Sequence, residues 1–481
     1  MSNRHSHHHA FESYHGRVCE GLSVSSRRGM IKNSLAGIAG LSLPQLLRSR
    51  AEAVQNGLSQ ASGKSVILLW MAGGPSHIDT WDPKPDRPYL NRGPFGVTST
   101  RLPGTFICEH LPKQAAMLDK FTILRSVDAR QSNHEPNMVF QTGHRGASPR
   151  SNPRGYTFPS IGSVIAKHHG PNLPGGLPYV AFQKSKSHIA YSGYLGKEFD
   201  PFIAEPACRL PIYDLVGQDT GKISSADMFR FAPGVSVNRI SKRQSLLSQL
   251  NQARKGFFES DTSGLDEYSQ QALSLVADEK VQQAFDIRKE SKKVRERFGK
   301  HLWCQKALLA RRLVEAGSSF VTIDLSYHTA SGTWDTHGDN IPPYGGIKKG
   351  LGPLLPLFDH LLTTLVGDLD DRGMLDDVLV IAMGEFGRTP NMGTQDSTDG
   401  RNHWPVVMSM CLAGGGLRHG QVIGATEKDG ADILHRPITP GDLAATIYHH
   451  FGVPQNTTYQ DPRGRPNFVV AENGKPISEI I

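Results

Sequence analysis

The chain of 481 residues predicts an α/β protein: a three-layer α/β/α sandwich with a mostly parallel central sheet. Three observations lead there. Six short runs are continuously apolar and contain β-branched residues, as strands covered on both faces require. Helical patterns lie between these runs, and strands alternating with helices build layered α/β folds. Several runs end in polar, glycine-rich loops, and Gly (50) and Pro (31) favour many ordered loops over a helical bundle. A hydrophobic content of 38% with 20% charged residues is sufficient for a packed core.

The first strand is "KSVILLWM", Lys64 to Met71. The others are "KFTILRSV" (Lys120 to Val127), "PYVAF" (Pro178 to Phe182), "SFVTIDL" (Ser319 to Leu325), "DVLVIAM" (Asp377 to Met383) and "VVMSMCLAG" (Val406 to Gly414). Residues Val281 to Gly317, rich in Lys, Arg, Glu, Ala and Leu, predict two helices. Gly346 to Gly373 reads as an amphipathic helix kinked at Pro353 and Pro356. "TPGDLAATIYHHFGV" (Thr439 to Val453) has Thr as N-cap, Pro at the first helical position and Asp at the third, and it closes with Gly452.

The N-terminus predicts an export signal over residues 1–53 and a polar linker over 54–63, with one α/β domain over 64–481. "SRRGMIK" carries the paired Arg27 and Arg28, a mildly apolar stretch runs from Asn33 to Leu47, and "AEA" at Ala51 to Ala53 fits a small-residue cleavage site. Paired arginines before a weakly apolar stretch point to the twin-arginine route and an extracytoplasmic location such as the periplasm. An amphipathic helix is the competing reading. No other stretch approaches ~18 continuous apolar residues, so no transmembrane span is expected. The formal net charge is +8, and residues 1–53 hold seven Lys/Arg against three Asp/Glu. Half of the basicity thus sits in the expected signal, which argues against a nucleic-acid partner. Cys108, Cys208, Cys304 and Cys411 are widely spaced without C-x-x-C, so a cysteine zinc site is not expected. Disulfides and buried thiols both remain open.

In open α/β sheets the ligand site lies beyond the carboxyl ends of the strands. The loop after the first strand holds His77, Asp79 and Asp82, and that after the second holds Ser132, His134 and Thr142. "SFVTIDL" leads into "GTWDTHGDN", with Asp335 and His337; "DVLVIAM" leads into "GEFGRTP", with Glu385 and Arg388; "DGRNHWP" follows, with Asn402 and His403. Carboxylates and imidazoles together are what a divalent cation takes from a protein. No single loop holds enough of them, so the ligands have to be pooled. An arginine beside such a site suits phosphate or sulfate. Each residue also has a plainer reading: Asp79 as a turn cap, His77 as a loop hydrogen bond, Asp335 with His337 as a solvated turn, Glu385 with Arg388 as an ion bridge, His403 as a packed histidine. His168, His169, His449 and His450 lie in helical segments and read as structural.

Taken in order, "MAGGPSHIDTWDPKP", "WDTHGDN", "GEFGRTP", "GRNHWP" and "TPGDLAATIYHHFGV" resemble the DUF1501 family, exported proteins abundant in planctomycetes and related to the alkaline phosphatase and sulfatase superfamily. The resemblance runs from Lys64 to Val453. It implies an alkaline phosphatase/sulfatase-like sandwich and a metal-assisted hydrolase of anionic esters, phosphate or sulfate, on small molecules or polysaccharide fragments. It implies one or two divalent ions (Zn, Mn or Ca): Asp335, His337 and His403, with Asn402 beside them, at one site, and Asp79 with Glu385 at a second. Ser132 or His134 would serve as nucleophile or acid–base group, and Arg388 would stabilise charge. The chain departs from the superfamily at Phe386, where a His or Asn ligand is usual, and at Asn402, where Asp is common. It has no sulfatase-type formylglycine precursor, which argues against ordinary sulfatase chemistry. A binding protein that keeps the fold with an incomplete metal site is the alternative.

Overall fold

The computed structural model describes residues 63–134, 137–226, 279–329, 331–338, 343, 345–393 and 396–481. The expected export signal and nearly all of the linker lie outside them. Eight strands form the main sheet: β1 (Ser65–Trp70), β2 (Phe121–Asp128), β3 (Tyr179–Phe182), β4 (Phe202–Ile203), β5 (Phe320–Asp324), β6 (Val378–Met383), β7 (Val407–Gly414) and β8 (Gln421–Ile423). Their order is β8-β2-β7-β6-β1-β5-β3-β4. Every neighbouring pair is parallel except those made by β7, which runs antiparallel to β2 and β6. The six apolar runs are thus six of these strands, and the sheet is mostly parallel.

Side chains alternate across a strand, so each buried strand contributes to two cores. In β1, Ile67 and Leu69 face one apolar layer, while Val66, Leu68 and Trp70 face the other. The described helices longer than one or two turns are α1 (Ile161–His168), α2 (Glu279–Phe285), α3 (Lys292–Phe298), α4 (Leu302–Glu315), α5 (Gly352–Asp371) and α6 (Pro440–His450). Residues of α2 to α5 join the first layer, and those of α1 and α6 the second. This is the three-layer arrangement.

The helical segments differ in detail from expectation. Residues 279–315 form three helices, because Ser291 caps a new one and Gly299, at φ 95°, ends it. In α5, Pro353 is the second residue and Pro356 lies inside the helix. An extra π-type turn, Ile347–Leu351, precedes α5. α6 begins as read: Thr439 and Asp442 form a reciprocal capping box with Pro440 at its start. Cys108, Cys208, Cys304 and Cys411 are all buried, and Cys108, Cys208 and Cys411 are thiols outside any disulfide. Among the described residues no helix is long and apolar enough to cross a membrane.

The register decides where the loops gather. Trp70 of β1 stands level with Met383 of β6 and Asp324 of β5, so all three strands end at one edge. Because β7 is antiparallel, it begins at that edge, and Asp128, the last residue of β2, pairs with Val407 at its start. The loops after β1, β2, β5 and β6 and the segment before β7 therefore share one rim.

Candidate metal centre

Two buried anchors bring the rim loops together. Trp334 is fully buried; its indole donates to the Leu325 carbonyl (3.0 Å) and its backbone N–H to that of Ala72 (3.1 Å). Its ring packs against Trp303 and Phe358. Asp335 and His337 thus follow a fixed residue. The loop after β1 runs directly beneath them at Gly73, whose φ is 117°. A Cβ there would lie 2.3 Å from the Asp335 nitrogen, so only glycine permits this approach. The second anchor is a ribbon in which Gly387–Arg388 pairs antiparallel with His403–Trp404. It ties the loop after β6 to the segment before β7.

The result is a convergence of four side chains. One ligand-type atom each from His134, Asp335, His337 and His403 lies within 4.8 Å of all the others. The Asp335 Oδ1 atom is 3.0 Å from His337 Nε2, 3.3 Å from His403 Nε2 and 3.4 Å from His134 Nε2. His403 Nε2 also lies 2.7 Å from His134 Nε2 and 2.8 Å from His337 Nε2. His134, Asp335 and His337 are buried, whereas the His403 side chain is 36% exposed and marks the open side.

Charged neighbours hold this group in place. Glu385 is buried, and its Oε1 accepts from the Gly73 N–H (2.8 Å) and lies 2.5 Å from His134 Nδ1. With its Nδ1 proton directed at Glu385, a neutral His134 presents the Nε2 lone pair to the cluster. Carboxylate–histidine pairs of this kind set the tautomer of metal-ligating histidines. Arg388 is fully buried; it donates to the carbonyls of Gly74 (2.8 Å), Gly73 and Arg401, and to the Asp335 carboxylate. The Phe386 ring, also buried, packs against His134 and His403 with centroids 4.5 and 5.1 Å away.

The protonation tendencies follow from these contacts. Burial alone would raise the Asp335 pKa, but the Arg388 charge and hydrogen bonds from His134, His337 and His403 hold it well below the ordinary value. Burial would lower that of His134, yet hydrogen bonds to Asp335 and Glu385 raise it. Burial brings His403 down to about 4, against a smaller upward pull from Asp335. Three Nε2 atoms face one carboxylate oxygen, an arrangement that a bound cation or donation from Nε2–H groups satisfies. The donor chemistry fits a divalent ion of the Zn or Mn type, three imidazoles and one carboxylate. Without it, His134 has to be an imidazolium for its Nε2 to donate, since its Nδ1 is already directed at Glu385.

The remaining residues singled out from the sequence lie around this group. Asp79, expected at a second ion, is paired with the buried Arg401 (2.6 Å) and accepts from Ser76 Oγ (2.5 Å). Glu385, its expected companion, contacts His134 and the Gly73 N–H and stands behind the cluster. The Asn402 side-chain oxygen accepts from the His403 N–H (2.8 Å), a local bond that occupies it. Ser132 is buried, and its Oγ has no hydrogen-bond partner. Arg388, expected to face an anionic group, is seated on Asp335 and backbone carbonyls. His77 bonds the Gly430 carbonyl (2.9 Å), and His450 bridges the Ser65 and Gly415 carbonyls at 3.0 and 3.2 Å, both structural roles. Sequence reasoning missed Arg401 and the anchoring Trp334, although both stand inside motifs already noted.

A family model described as a protein of unknown function, DUF1501, matches residues 63–481. The chain belongs to the DUF1501 family. No curated protein matches this DUF1501 chain. Among solved structures it is similar to the PsFucS1 sulfatase from Pseudoalteromonas sp. at 13% identity and a TM-score of 0.37, covering 91% of this chain and 78% of that one. The phosphonate monoester hydrolase SpPMH from Silicibacter pomeroyi is similar at 12% identity and a TM-score of 0.36, covering 86% and 76%. The C-terminal periplasmic domain of EcEptC from Escherichia coli, in complex with Zn, is similar at 10% identity and a TM-score of 0.33, covering 87% and 92%.

The Asp335–Arg388 pair makes a stability prediction. Asp335→Ala leaves a fully buried guanidinium without its carboxylate and is expected to cost about 3–5 kcal/mol in urea unfolding of the metal-free protein. His337→Ala, which removes no buried formal charge, is expected to cost clearly less.

Proposed function

We propose that this DUF1501 protein is an exported, metal-dependent hydrolase of phosphate or sulfate esters, with anionic polysaccharide fragments among its substrates. The observation that carries the reading is the convergence of His134, Asp335, His337 and His403 on one point at the strand-end rim. These four residues would hold the ion. A divalent cation bound there supplies Lewis-acid polarisation of an ester oxygen and a more acidic water at neutral pH.

The protein's own groups have separable tasks in this reading. Glu385 fixes the tautomer of His134. Arg388 keeps Asp335 ionised and immobile. Phe386 walls one side with an apolar ring, and substrate enters past His403. Among the described residues Ser132 has no base within hydrogen-bonding reach, and its Oγ is buried, which supports water as the nucleophile. Both His134 nitrogens are engaged, one at Glu385 and one in the cluster, which supports a ligand role over an acid–base role.

One observation favours a second reading, an exported binding protein without turnover. Arg388 and Arg401 are both fully buried, and their guanidinium groups are taken up by the Asp335 and Asp79 carboxylates and by backbone carbonyls, which leaves neither well placed to neutralise a transferring group. A panel of phosphate and sulfate monoesters and diesters, assayed with Zn²⁺, Mn²⁺ and Ca²⁺, separates the two. Turnover lost in His403→Ala supports the hydrolase; no turnover with any pair, while metal is bound, supports the binding protein.

Elemental analysis tests the centre itself. Metal is expected to co-purify with the wild-type chain and to be lost from His337→Ala and His403→Ala, with affinity about 10–100-fold lower in Glu385→Gln. No metal above background, with no change in these variants, contradicts the proposal. Affinity is also expected to depend on pH, because metal binding competes with protons. The His134 pKa is raised, so a proton still competes there above the ordinary value near 6.5. Affinity measured by competition titration should therefore keep rising as pH passes upward through 6.5; a flat profile from pH 6 to 8 contradicts this. For export, Arg27→Lys with Arg28→Lys is expected to leave the chain in the cytoplasm of a bacterial host with a twin-arginine system, read by fractionation. Unchanged export would rule out that route.

A further inference from the structure

Resting on the metal-binding reading above, we propose that the centre takes one divalent cation, and that Arg401 supplies the positive charge a second would otherwise bring to Asp79. Asp79 and Arg401 are both buried with fully covered side chains. The guanidinium meets the carboxylate with two prongs, Nε to Oδ2 at 2.6 Å and Nη2 to Oδ1 at 3.4 Å. Ser76 Oγ donates to the same Oδ2 at 2.5 Å. The other guanidinium N–H groups donate to the carbonyls of Thr389 (3.0 Å), Pro390 (2.5 Å) and Asn91 (2.7 Å). Both partners are thus fully engaged. An ion at Asp79 would have to displace a buried guanidinium that meets no other carboxylate among the described residues.

Space points the same way. Gly93, at φ 80°, closes over the pair: a Cβ there would stand 2.2 Å from Asp79 Oδ1 and 3.1 Å from Arg401 Nη2. Glu385 does not rebuild the second site. Its Oε1 is taken by His134 and the Gly73 N–H. Among the described residues, the group of three or more histidine, cysteine or acidic side chains with metal-ligating spacing is the one at Asp335, and it contains neither Asp79 nor Glu385.

Arg401 is also a positioning residue. Its backbone N–H donates to the Thr336 carbonyl (3.0 Å), between Asp335 and His337, and it stands two residues before His403. Its side chain reaches the loop after β1. One residue therefore ties the loops that carry Asp335, His337 and His403 to a fixed buried charge, and the planar fork of arginine makes lysine a poor replacement.

The test strips the full chain with a chelator, titrates it with Zn²⁺ or Mn²⁺ and counts bound metal by mass spectrometry after gel filtration. One ion per chain is expected in the wild type and in Asp79→Asn. Arg401→Lys should bind one ion at least ten-fold more weakly while keeping its circular dichroism spectrum. Two ions in the wild type overturn the single-ion proposal and leave the metal reading intact; none overturns that reading as well. Should Asp79→Asn not fold, the wild-type count of one or two decides alone. Wild-type affinity in Arg401→Lys overturns its positioning role.

Discussion

The site depends on one buried carboxylate. The Asp335 Oδ1 atom meets both the fully buried Arg388 and three imidazoles. A carboxylate so deep in the protein would ordinarily take up a proton; here the guanidinium and the histidines keep it ionised. Arg388 in turn is fixed by the carbonyls of the loop after β1. The carboxylate is therefore held ionised by its surroundings, and through Arg388 it is tied to the loop after β1.

The rest of the architecture brings the imidazoles to that charge. Strands that run the same way and end at one edge bring the loops after β1, β2, β3, β5 and β6 to the rim. The antiparallel β7 adds the segment before it, because it starts where its neighbours end and pairs with the last residue of β2. His134, from the loop after β2, and His403, from the segment before β7, join Asp335 and His337, from the loop after β5, in the group of four.

Much of this was legible in the sequence. The six apolar runs gave their strands nearly residue for residue, because strands buried on both faces leave no polar gap to confuse the pattern. Asp335, His337 and His403 were identifiable as ligand types at strand ends. His134 was also noted, as a nucleophile or acid–base group rather than as part of the group of four, since residue type does not show which way an imidazole points. The pairing of Asp79 with Arg401 was not legible: the two are far apart in the chain, and a motif that names a carboxylate does not name its counter-charge. Neither was the local bond from the His403 N–H to the Asn402 side-chain oxygen. The helix count over 279–315 differed because a serine cap and a left-handed glycine interrupt an otherwise continuous helical composition.

The most direct measurement of the central claim is anomalous scattering from crystals of the full chain grown with Zn²⁺ or Mn²⁺, collected on both sides of the metal absorption edge. The account predicts one peak, bounded by His134, Asp335, His337 and His403, with Arg401 still on Asp79. No peak among those four side chains, or a peak at Asp79 with Arg401 displaced, would contradict it.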